Sequence, residues 1–316
     1  MGGAESCPVR AALVERRERG LIVGIDGGYG GWGFCETMHR AALGAPVTRH
    51  EWQLDEGVAV QDEFVYKAAA RAHTRLHALL GTNELGDADH YQNFVVAFIR
   101  RYGIGGSFWL EHPQLDAQRY AIRTFELGNE PYFGGMSASE YAATVRPVLE
   151  RVKALGLPAR MVLASRVDGI DTSWMDTLYA EIPRLNSLYY AITEHPYWYG
   201  HNPAEADDEG PFRRIALLRQ RLDELGAGAK PIFITEYGES TADCGEECVS
   251  EAVQARHLRE MIRFCRRPTL DVQLLSIFQL IDRGTNSGDR ELQFGILWQN
   301  GSRKPSYRIV QRAISG

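Results

Sequence analysis

The apolar positions of this chain fall into eight short runs, separated by longer stretches in which apolar residues recur at helical spacing. Each run is about four to seven residues long and rich in Val, Ile, Leu or Phe, which is typical of strands buried on both faces. The predicted strands are residues 21–24, 46–49, 75–80, 123–127, 160–164, 187–193, 231–235 and 274–279. The predicted helices are residues 58–73, 89–102, 137–155, 173–185, 212–225, 247–266 and 304–314.

The alternation of strands and helices predicts the fold. Parallel strands need helical crossovers, and eight such units without a break in composition predict a single closed (β/α)8 TIM barrel. Local signals agree, since Ser137 and Glu140 form a capping-box pattern at the start of one helix and Gly156 follows its end. We therefore expect a helical extension at residues 1–20 and one barrel domain at residues 21–316.

Composition narrows the class of partner. The chain has 316 residues, of which 44% are hydrophobic and 24% charged, as in an ordinary globular protein. Its 35 basic and 41 acidic side chains give a net charge of −6, so no basic field attracts a phosphate backbone. No apolar stretch approaches the roughly 18–20 residues of a membrane-spanning helix. Nucleic acid binding and membrane insertion are therefore not expected, and the sequence carries no signal for the oligomeric state.

The amino-terminal residues and the cysteines bear on the cellular location. Residues 1–20 contain four arginines and no apolar central region, so they do not form a signal peptide as they stand. A cytoplasmic location and secretion by a leader outside this sequence both stay open. The five cysteines leave at least one thiol unpaired within the chain. Cys244 and Cys248 could close a small disulfide loop, and a zinc site is the less favoured alternative.

Two glutamates directly follow apolar runs. Glu130 comes after the fourth predicted strand, in Asn129-Glu130-Pro131, and Glu236 comes after the seventh. In a TIM barrel the carboxyl ends of the strands form the active-site face, and these two strands lie nearly opposite in the ring. We therefore expect the two carboxyl groups to face each other across a bound molecule. A solvated surface position, which explains most of the other acidic residues, does not explain these two.

A facing pair of carboxyl groups is the arrangement that glycosidic bond cleavage uses. One group stays protonated near neutral pH and donates to the leaving oxygen, while the other stays ionised. At a separation of about 5–5.5 Å the ionised group attacks the sugar itself, and the anomeric configuration is retained. The pair therefore predicts an enzyme that acts on carbohydrate.

The motifs around these glutamates resemble a known family. The segments FELGNEPYF (125–133), TEHPYWYG (193–200) and FITEYGES (233–240) are similar to those of clan A glycoside hydrolases, which are retaining (β/α)8-barrel enzymes. The segments RYGIGGSFWLEHP (101–113) and FGILWQNGSRKPSY (294–307) resemble bacterial members related to families 5 and 39. The resemblance covers nearly the whole chain. It implies that Glu130 is the general acid/base, Glu236 the nucleophile and Asn129 a ligand of the sugar 2-hydroxyl.

The same resemblance implies roles for three further side chains. Arg49 would pair with Glu236 and hold it ionised, since a guanidinium lowers the pKa of a neighbouring carboxyl. Tyr197 would donate its hydroxyl to Glu236, and His195 would line the pocket beside the acid/base. Two simpler interpretations stay open: His195 could bond a loop carbonyl, and Arg49 could form an ion pair at the barrel end.

Aromatic side chains near strand ends are candidate surfaces for sugar rings, although packing in the core is the alternative for each. Many clan members place a Trp at the end of strand eight, where this chain has Phe278 and Gln279. His77 is unusual in a strand and either points into the barrel or is a hydrogen-bonded core residue. The predicted substrate-binding residues are, in addition to those above, Trp52, Tyr132, Trp198, Phe278, Gln279 and Trp298.

The sequence thus predicts a retaining glycoside hydrolase that cleaves β-linked oligo- or polysaccharide by double displacement, with internal cleavage favoured by aromatic loops without long insertions. Two alternatives use the same barrel: a transglycosylase, which passes the sugar to another sugar, and a non-catalytic carbohydrate-binding protein. A metal-dependent hydrolase fits less well, because no His-x-His follows the first strand. No cofactor is expected, since acid/base and nucleophilic carboxylates suffice.

Overall fold

The computed structural model describes residues 20–27, 32–54, 61–81, 85–205, 210–285 and 288–316. The helical extension expected at residues 1–20 lies outside the described residues, apart from Gly20. None of the helices in these ranges combines the length and apolar character needed to cross a membrane.

Eight parallel strands form a closed barrel in which each strand pairs with the next and the last pairs with the first. The (β/α)8 prediction is therefore confirmed. The strands are Ile22–Asp26 (β1), Val47–Trp52 (β2), Arg75–Leu80 (β3), Thr124–Leu127 (β4), Arg160–Ala164 (β5), Ala191–Glu194 (β6), Ile232–Tyr237 (β7) and Val272–Ile277 (β8).

The helices lie between the strands in sequence. They are Phe34–Leu43 (α1), Asp62–Lys67 (α2, continued by a π-helical segment Ala68–Ala72), Ala88–Tyr102 (α3), Ser107–Glu111 (α4), Ala117–Tyr120 (α5), Ala138–Ala154 (α6), Ser173–Glu181 (α7), Pro211–Glu224 (α8), Glu251–Cys265 (α9) and Pro305–Ser315 (α10). The predicted capping box is present at the start of α6, where Ser137 and Glu140 bond each other's backbone N–H groups. Gly156 beyond the end of α6 has a φ of 61°.

Strand β2 is longer than expected, and the difference matters for the site. The prediction ended this strand at Arg49, but pairing with β3 continues to Trp52. Because successive side chains alternate between the two faces of a strand, Val47, Arg49 and Glu51 share the inner face. The charged residues broke the apolar run in the sequence, although the backbone ladder continues into the mouth of the barrel.

Apolar packing is divided between two regions. A small cluster fills one part of the barrel interior and consists of Val47, Val162, Ala191, Phe233 and Leu274. The larger cluster lies between the strands and the surrounding helices. Val47 belongs to the small cluster and Arg49, two residues further along the same face, reaches the polar mouth. The barrel interior therefore changes from apolar to charged within one strand.

The cysteine prediction left two states open, and the structure contains the disulfide. Cys244 and Cys248 are bonded to each other in the loop after β7, with their Cα atoms 5.4 Å apart. Cys265, at the end of α9, is a buried thiol that is not in a disulfide.

Candidate active site

A cleft of about 360 Å³ opens at the carboxyl ends of the strands. Its lining combines ionisable groups with aromatic rings, a combination suited to a ligand that has both hydroxyl groups and apolar ring faces. The ionisable and amide side chains in its lining are Asp26, Arg49, Glu51, Asn129, Glu130, Arg166, Asp168, His195, Arg214, Glu236 and Glu291. The aromatic side chains are Tyr132, Phe133, Tyr197, Tyr199, Phe278 and Phe294.

Glu130 reaches the cleft through an unusual backbone turn after β4. Gly128 has a φ of 78°, and a Cβ added there would come within 3.0 Å of the Leu85 side chain, so glycine suits this position on both counts. Glu130 itself has a φ of 43°, which is uncommon for a residue with a side chain. Such conformations cluster at functional sites, where the surrounding structure holds them in place.

Glu236 lies on β7 and is almost entirely buried, with 13% of its side chain exposed. Its Oε1 accepts a hydrogen bond from Arg49 Nη1 at 2.5 Å, and its Oε2 accepts one from the Tyr197 hydroxyl at 3.1 Å. Both oxygens therefore accept hydrogen bonds, which fix the orientation of the carboxyl group.

Arg49 connects the acidic groups at the centre of the site. Its Nη1 donates to Asp26 (2.8 Å) as well as to Glu236, while its Nε and Nη2 donate to the two oxygens of Glu126 at 2.8 and 2.9 Å. Nη2 also donates to Asn129 Oδ1 at 2.8 Å. A guanidinium has five N–H groups, so each donor of this buried side chain is used.

The bond to Arg49 also fixes the orientation of the Asn129 amide. Because a guanidinium can only donate, the amide oxygen must face Arg49. The Nδ2 group of Asn129 is consequently free to donate to a ligand in the cleft.

His195 touches both glutamates through one ring nitrogen. Its Nδ1 lies 3.0 Å from Glu130 Oε1 and 4.0 Å from Glu236 Oε1. A shared neighbour at these distances brings the two carboxyl groups within about 7 Å of each other, a bound that includes the ~5–5.5 Å separation of retaining glycosidases. The other ring nitrogen, Nε2, bonds the Thr235 hydroxyl at 2.8 Å, so His195 does not serve a loop carbonyl.

Burial and charge move the pKa values of these groups in different directions. Burial lowers the pKa of His195, but the carboxylates of Glu236 and Glu130 outweigh burial and raise it to about 9. Burial raises the pKa of Glu130, and the positive charge of His195 outweighs it, leaving the value below its ordinary range. Burial raises the pKa of Glu236, against the opposing charges of His195 and Arg49. The proton of the Glu130–His195 pair therefore resides mainly on the imidazole.

The structure places eight of the twelve predicted site residues in the lining of this cleft and leaves four outside it. Trp52 is 1% exposed and packs edge-on against Phe98 between the barrel and α3, so the expectation that it binds sugar is wrong. Gln279 is buried outside the cleft lining, where its Oε1 accepts a hydrogen bond from Arg283. The Trp298 ring lies against Lys304 Nζ, 4.5 Å from the ring centroid, and also lies outside the lining.

The sequence left open whether Phe278 or Gln279 faces the site at the end of β8, and the structure separates the two. Phe278, and not Gln279, lines the cleft at the end of β8. Tyr132 lines the cleft directly after Glu130. Trp198 stacks on His201 with the ring centroids 4.5 Å apart and lies outside the cleft lining.

Several residues of the site were missed by the sequence analysis, among them Asp26, Glu51, Glu126 and Thr235. Asp26 and Glu51 both line the cleft, and their positions at or near the ends of inward-facing strands could have identified them. Glu126 and Thr235 are fully buried below the cleft and bond its key side chains. Their contacts join residues far apart in the chain, so no local pattern identifies them.

The side chain of His77 points into the barrel interior. Its Nε2 lies 2.9 Å from Glu126 and its Nδ1 lies 2.7 Å from the Thr124 hydroxyl. Within the described part of the chain, no group of three or more His, Cys, Asp or Glu side chains is arranged to hold a metal ion.

No protein-family model and no curated protein matches this sequence. Solved structures match it in fold. A family 39 glycoside hydrolase from the gut symbiont Bacteroides cellulosilyticus WH2 has a TM-score of 0.71 at 14% identity, over 94% of this chain and 64% of that one. A family 51 α-L-arabinofuranosidase from Bifidobacterium longum has a TM-score of 0.66 at 13% identity, over 99% and 77% of the two chains. A fungal β-1,4-galactanase has a TM-score of 0.62 at 12% identity, over 93% and 100%.

The chain spans less than two thirds of the length of the family 39 protein. At these sequence identities the likeness establishes the fold alone, a (β/α)8 barrel that this chain shares with these glycoside hydrolase structures.

Proposed function

We propose that this protein is a retaining glycoside hydrolase that cleaves β-linked oligo- or polysaccharides by double displacement. The observation that carries the proposal is the approach of two largely buried carboxyl groups, those of Glu130 and Glu236, to the same nitrogen of His195. The fold shared with clan A glycoside hydrolases supports the same reaction class.

In the first step, Glu236 attacks the anomeric carbon and Glu130 gives a proton to the leaving oxygen. The bond to the leaving group breaks as a glycosyl ester forms on Glu236. Arg49 and Tyr197 hold the attacking carboxylate in one orientation, which removes the entropy of aligning it. Asn129 Nδ2 donates to the sugar 2-hydroxyl, a bond that strengthens in the transition state of such reactions.

In the second step, water attacks the ester and Glu130 accepts its proton. The Glu130–His195 pair is returned to its starting state, and the sugar leaves with its original configuration. The Glu130–His195 pair can supply a proton in the first step and take one up in the second, because the imidazole lies within hydrogen-bond distance of the carboxyl group.

The cleft surface beyond Glu130 supports internal cleavage of a chain. Phe133 follows the acid/base by three residues, lines the cleft, and has 72% of its surface exposed. An exposed ring on this side offers a stacking surface to a sugar beyond the scissile bond. We propose that substrates with several residues on the leaving side are cleaved faster than aryl monoglycosides.

The test is hydrolysis of a panel of β-glucans, β-mannans, β-xylans and β-galactans, with aryl glycosides and α-L-arabinofuranosides included. Wild type is compared with Glu236→Gln, and with Glu150→Gln as a control that changes an exposed glutamate on α6. We expect turnover to vanish in the first variant and to be unchanged in the second. Undiminished turnover in a folded Glu236→Gln protein would contradict the proposal.

Chemical rescue separates the two carboxyl roles. In Glu130→Ala, azide is expected to attack the glycosyl ester and give a β-glycosyl azide from a β-linked substrate. In Glu236→Ala, azide is expected to replace the missing nucleophile and give the α-glycosyl azide. The opposite assignment of products would exchange the roles of the two residues.

A further inference from the structure

The buried carboxylate of Glu126 has all of its acceptor positions filled. Oε1 accepts from Arg49 Nη2 at 2.9 Å and from the Thr235 hydroxyl at 3.1 Å. Oε2 accepts from Arg49 Nε at 2.8 Å and lies 2.9 Å from His77 Nε2. Because an ionised carboxylate can only accept, each of these four neighbours must be the donor. The Arg49 and His77 contacts overcome burial and keep the pKa of Glu126 well below its ordinary value.

The Thr235 hydroxyl has one proton and two acceptor positions. Its proton points to Glu126, which has no proton to give in return. The two remaining neighbours of the Thr235 oxygen are therefore donors: the Thr193 hydroxyl, which is in close contact, and His195 Nε2 at 2.8 Å. It follows that Nε2 of His195 carries a hydrogen.

The position of this hydrogen decides what His195 can do for Glu130. A neutral imidazole with hydrogen on Nε2 presents a lone pair at Nδ1, which bonds only a protonated Glu130. An imidazolium donates from Nδ1 to an ionised Glu130. Each state has one proton between the two atoms, which lie 3.0 Å apart. The other tautomer, with hydrogen on Nδ1 alone, would bond an ionised Glu130. The pair would then hold one proton fewer than in either of the two states above, and no acid proton would be left for the leaving group.

We infer that Glu126 and Thr235 act together as positioning residues that fix His195 with hydrogen on Nε2 and so retain the catalytic proton between His195 and Glu130. Neither residue lines the cleft, so each acts through another side chain. Glu126 thereby serves both catalytic groups, since through Arg49 it also orients Glu236. This inference rests on the proposed function.

The other charges around His195 come from three strands and do not select a tautomer. Glu126 Oε1 lies 3.8 Å from Nε2, and Glu236 Oε1 lies 4.0 Å from Nδ1. Arg49 opposes protonation of the ring. These charges change the protonation of the whole imidazole, whereas the Thr235 hydroxyl contacts one ring nitrogen alone.

The decisive variant is Thr235→Val, which keeps the shape of a β-branched side chain and removes the hydroxyl. Without an acceptor at Nε2, the tautomer with hydrogen on Nδ1 becomes favourable and the pair loses its proton at lower pH. We expect the alkaline limb of kcat/KM to move down by about one pH unit, the effect of one hydrogen bond. Thr235→Ser retains the hydroxyl and should restore the wild-type limb. Thr193→Val removes a hydroxyl that does not contact His195 and serves as the matched control, with no shift expected.

A spectroscopic measurement needs no substrate. In protein labelled with ¹⁵N-histidine, ¹H–¹⁵N correlation spectra identify the protonated ring nitrogen, and His195→Asn assigns the signal. Above the pKa of the ring, we expect hydrogen on Nε2 in wild type and on Nδ1 in Thr235→Val. Thr235→Ala, which lacks the same hydroxyl, replaces Thr235→Val if that protein does not fold.

The outcomes separate this inference from the proposed function. If Thr235→Val keeps both the wild-type alkaline limb and hydrogen on Nε2 of His195, the positioning role of Glu126 and Thr235 is overturned. A uniform loss of rate at every pH would also overturn it. Absence of hydrolysis by wild type across the substrate panel would overturn the proposed function, while the spectra would still decide the tautomer.

Discussion

Replacing Arg49 by Lys tests the centre of the site while keeping its charge. The arginine contacts three carboxylates and an amide through five donors, and only 4% of its side chain is exposed. A lysine ammonium has three donors on a flexible stem and cannot reproduce the two-pronged contact with Glu126. At least two charge-assisted hydrogen bonds are therefore lost, and the carboxylates that made them stay buried.

The size of the effect follows from these contacts. A hydrogen bond to a charged group contributes about 1.5–3 kcal/mol, so two of them correspond to about 3–6 kcal/mol in total. Part of this loss falls on the free energy of unfolding, because the bonds to Glu126 exist before substrate binds. The remainder falls on catalysis, because Glu236 loses its fixed orientation, and a displacement of about 1 Å can reduce the rate about 100-fold.

The assay measures kcat/KM on the best substrate and urea unfolding at pH 7 for wild type and Arg49→Lys. Arg219→Lys is the matched control, since Arg219 is also buried and donates to the Lys230 and Ala227 carbonyls at the opposite end of β7. We expect the control to lose stability but keep its kcat/KM. A folded Arg49→Lys protein with wild-type kcat/KM would refute the assignment of Arg49 as the group that orients the nucleophile.

Three further outcomes follow from the same structure. The pKa of His195 is about 9 in the folded protein against an ordinary 6.5, so its protonation stabilises the fold fully below about pH 6.5 and this contribution disappears as the pH rises through 9. Urea unfolding from pH 6 to 10 should therefore show a smaller loss of stability in His195→Asn than in wild type, and parallel curves would contradict this. Replacing Cys244 and Cys248 together by Ser should lower the free energy of unfolding by about 2 kcal/mol, as expected for so short a loop, without changing kcat. Phe278→Ala should raise KM more than it lowers kcat, because the ring lines the cleft and has no group that can transfer a proton or attack the sugar, and an unchanged KM would remove Phe278 from the binding surface.

The fold could be predicted because strands buried on both faces leave apolar runs in the sequence. The same rule failed where function intervenes. Strand β2 was ended at Arg49, since the inner face becomes charged there, although pairing continues to Trp52. Helix α1 was missed because it begins after Gly33 without a side-chain cap and buries polar residues such as Arg40.

For the candidate site, too, the sequence identified some residues and misplaced or missed others. Glu130 and Glu236 stand out in the sequence because a carboxyl group after a buried run needs a reason to be there. Trp52 was misplaced because the alternation of β2 turns it outward, toward the helices. In the sequence, Glu126 is one residue of a short strand with no local feature that marks it. Its role is visible only in the fold, where Arg49 and Thr235 on other strands donate hydrogen bonds to it.

The charge balance of the cleft connects these observations with the chemistry. Arg49 is surrounded by Asp26, Glu126 and Glu236, so one positive charge faces three carboxylates. Burial raises the pKa of Glu51 to about 7, and the three carboxylates raise it while Arg49 alone lowers it. Glycoside hydrolysis passes through a transition state with oxocarbenium character, in which positive charge develops at the anomeric carbon. A fixed excess of negative charge stabilises that state more than the neutral substrate, which is the condition for catalysis. In the proposed reaction, the guanidinium that orients Glu236 would therefore leave an excess of negative charge that stabilises the transition state.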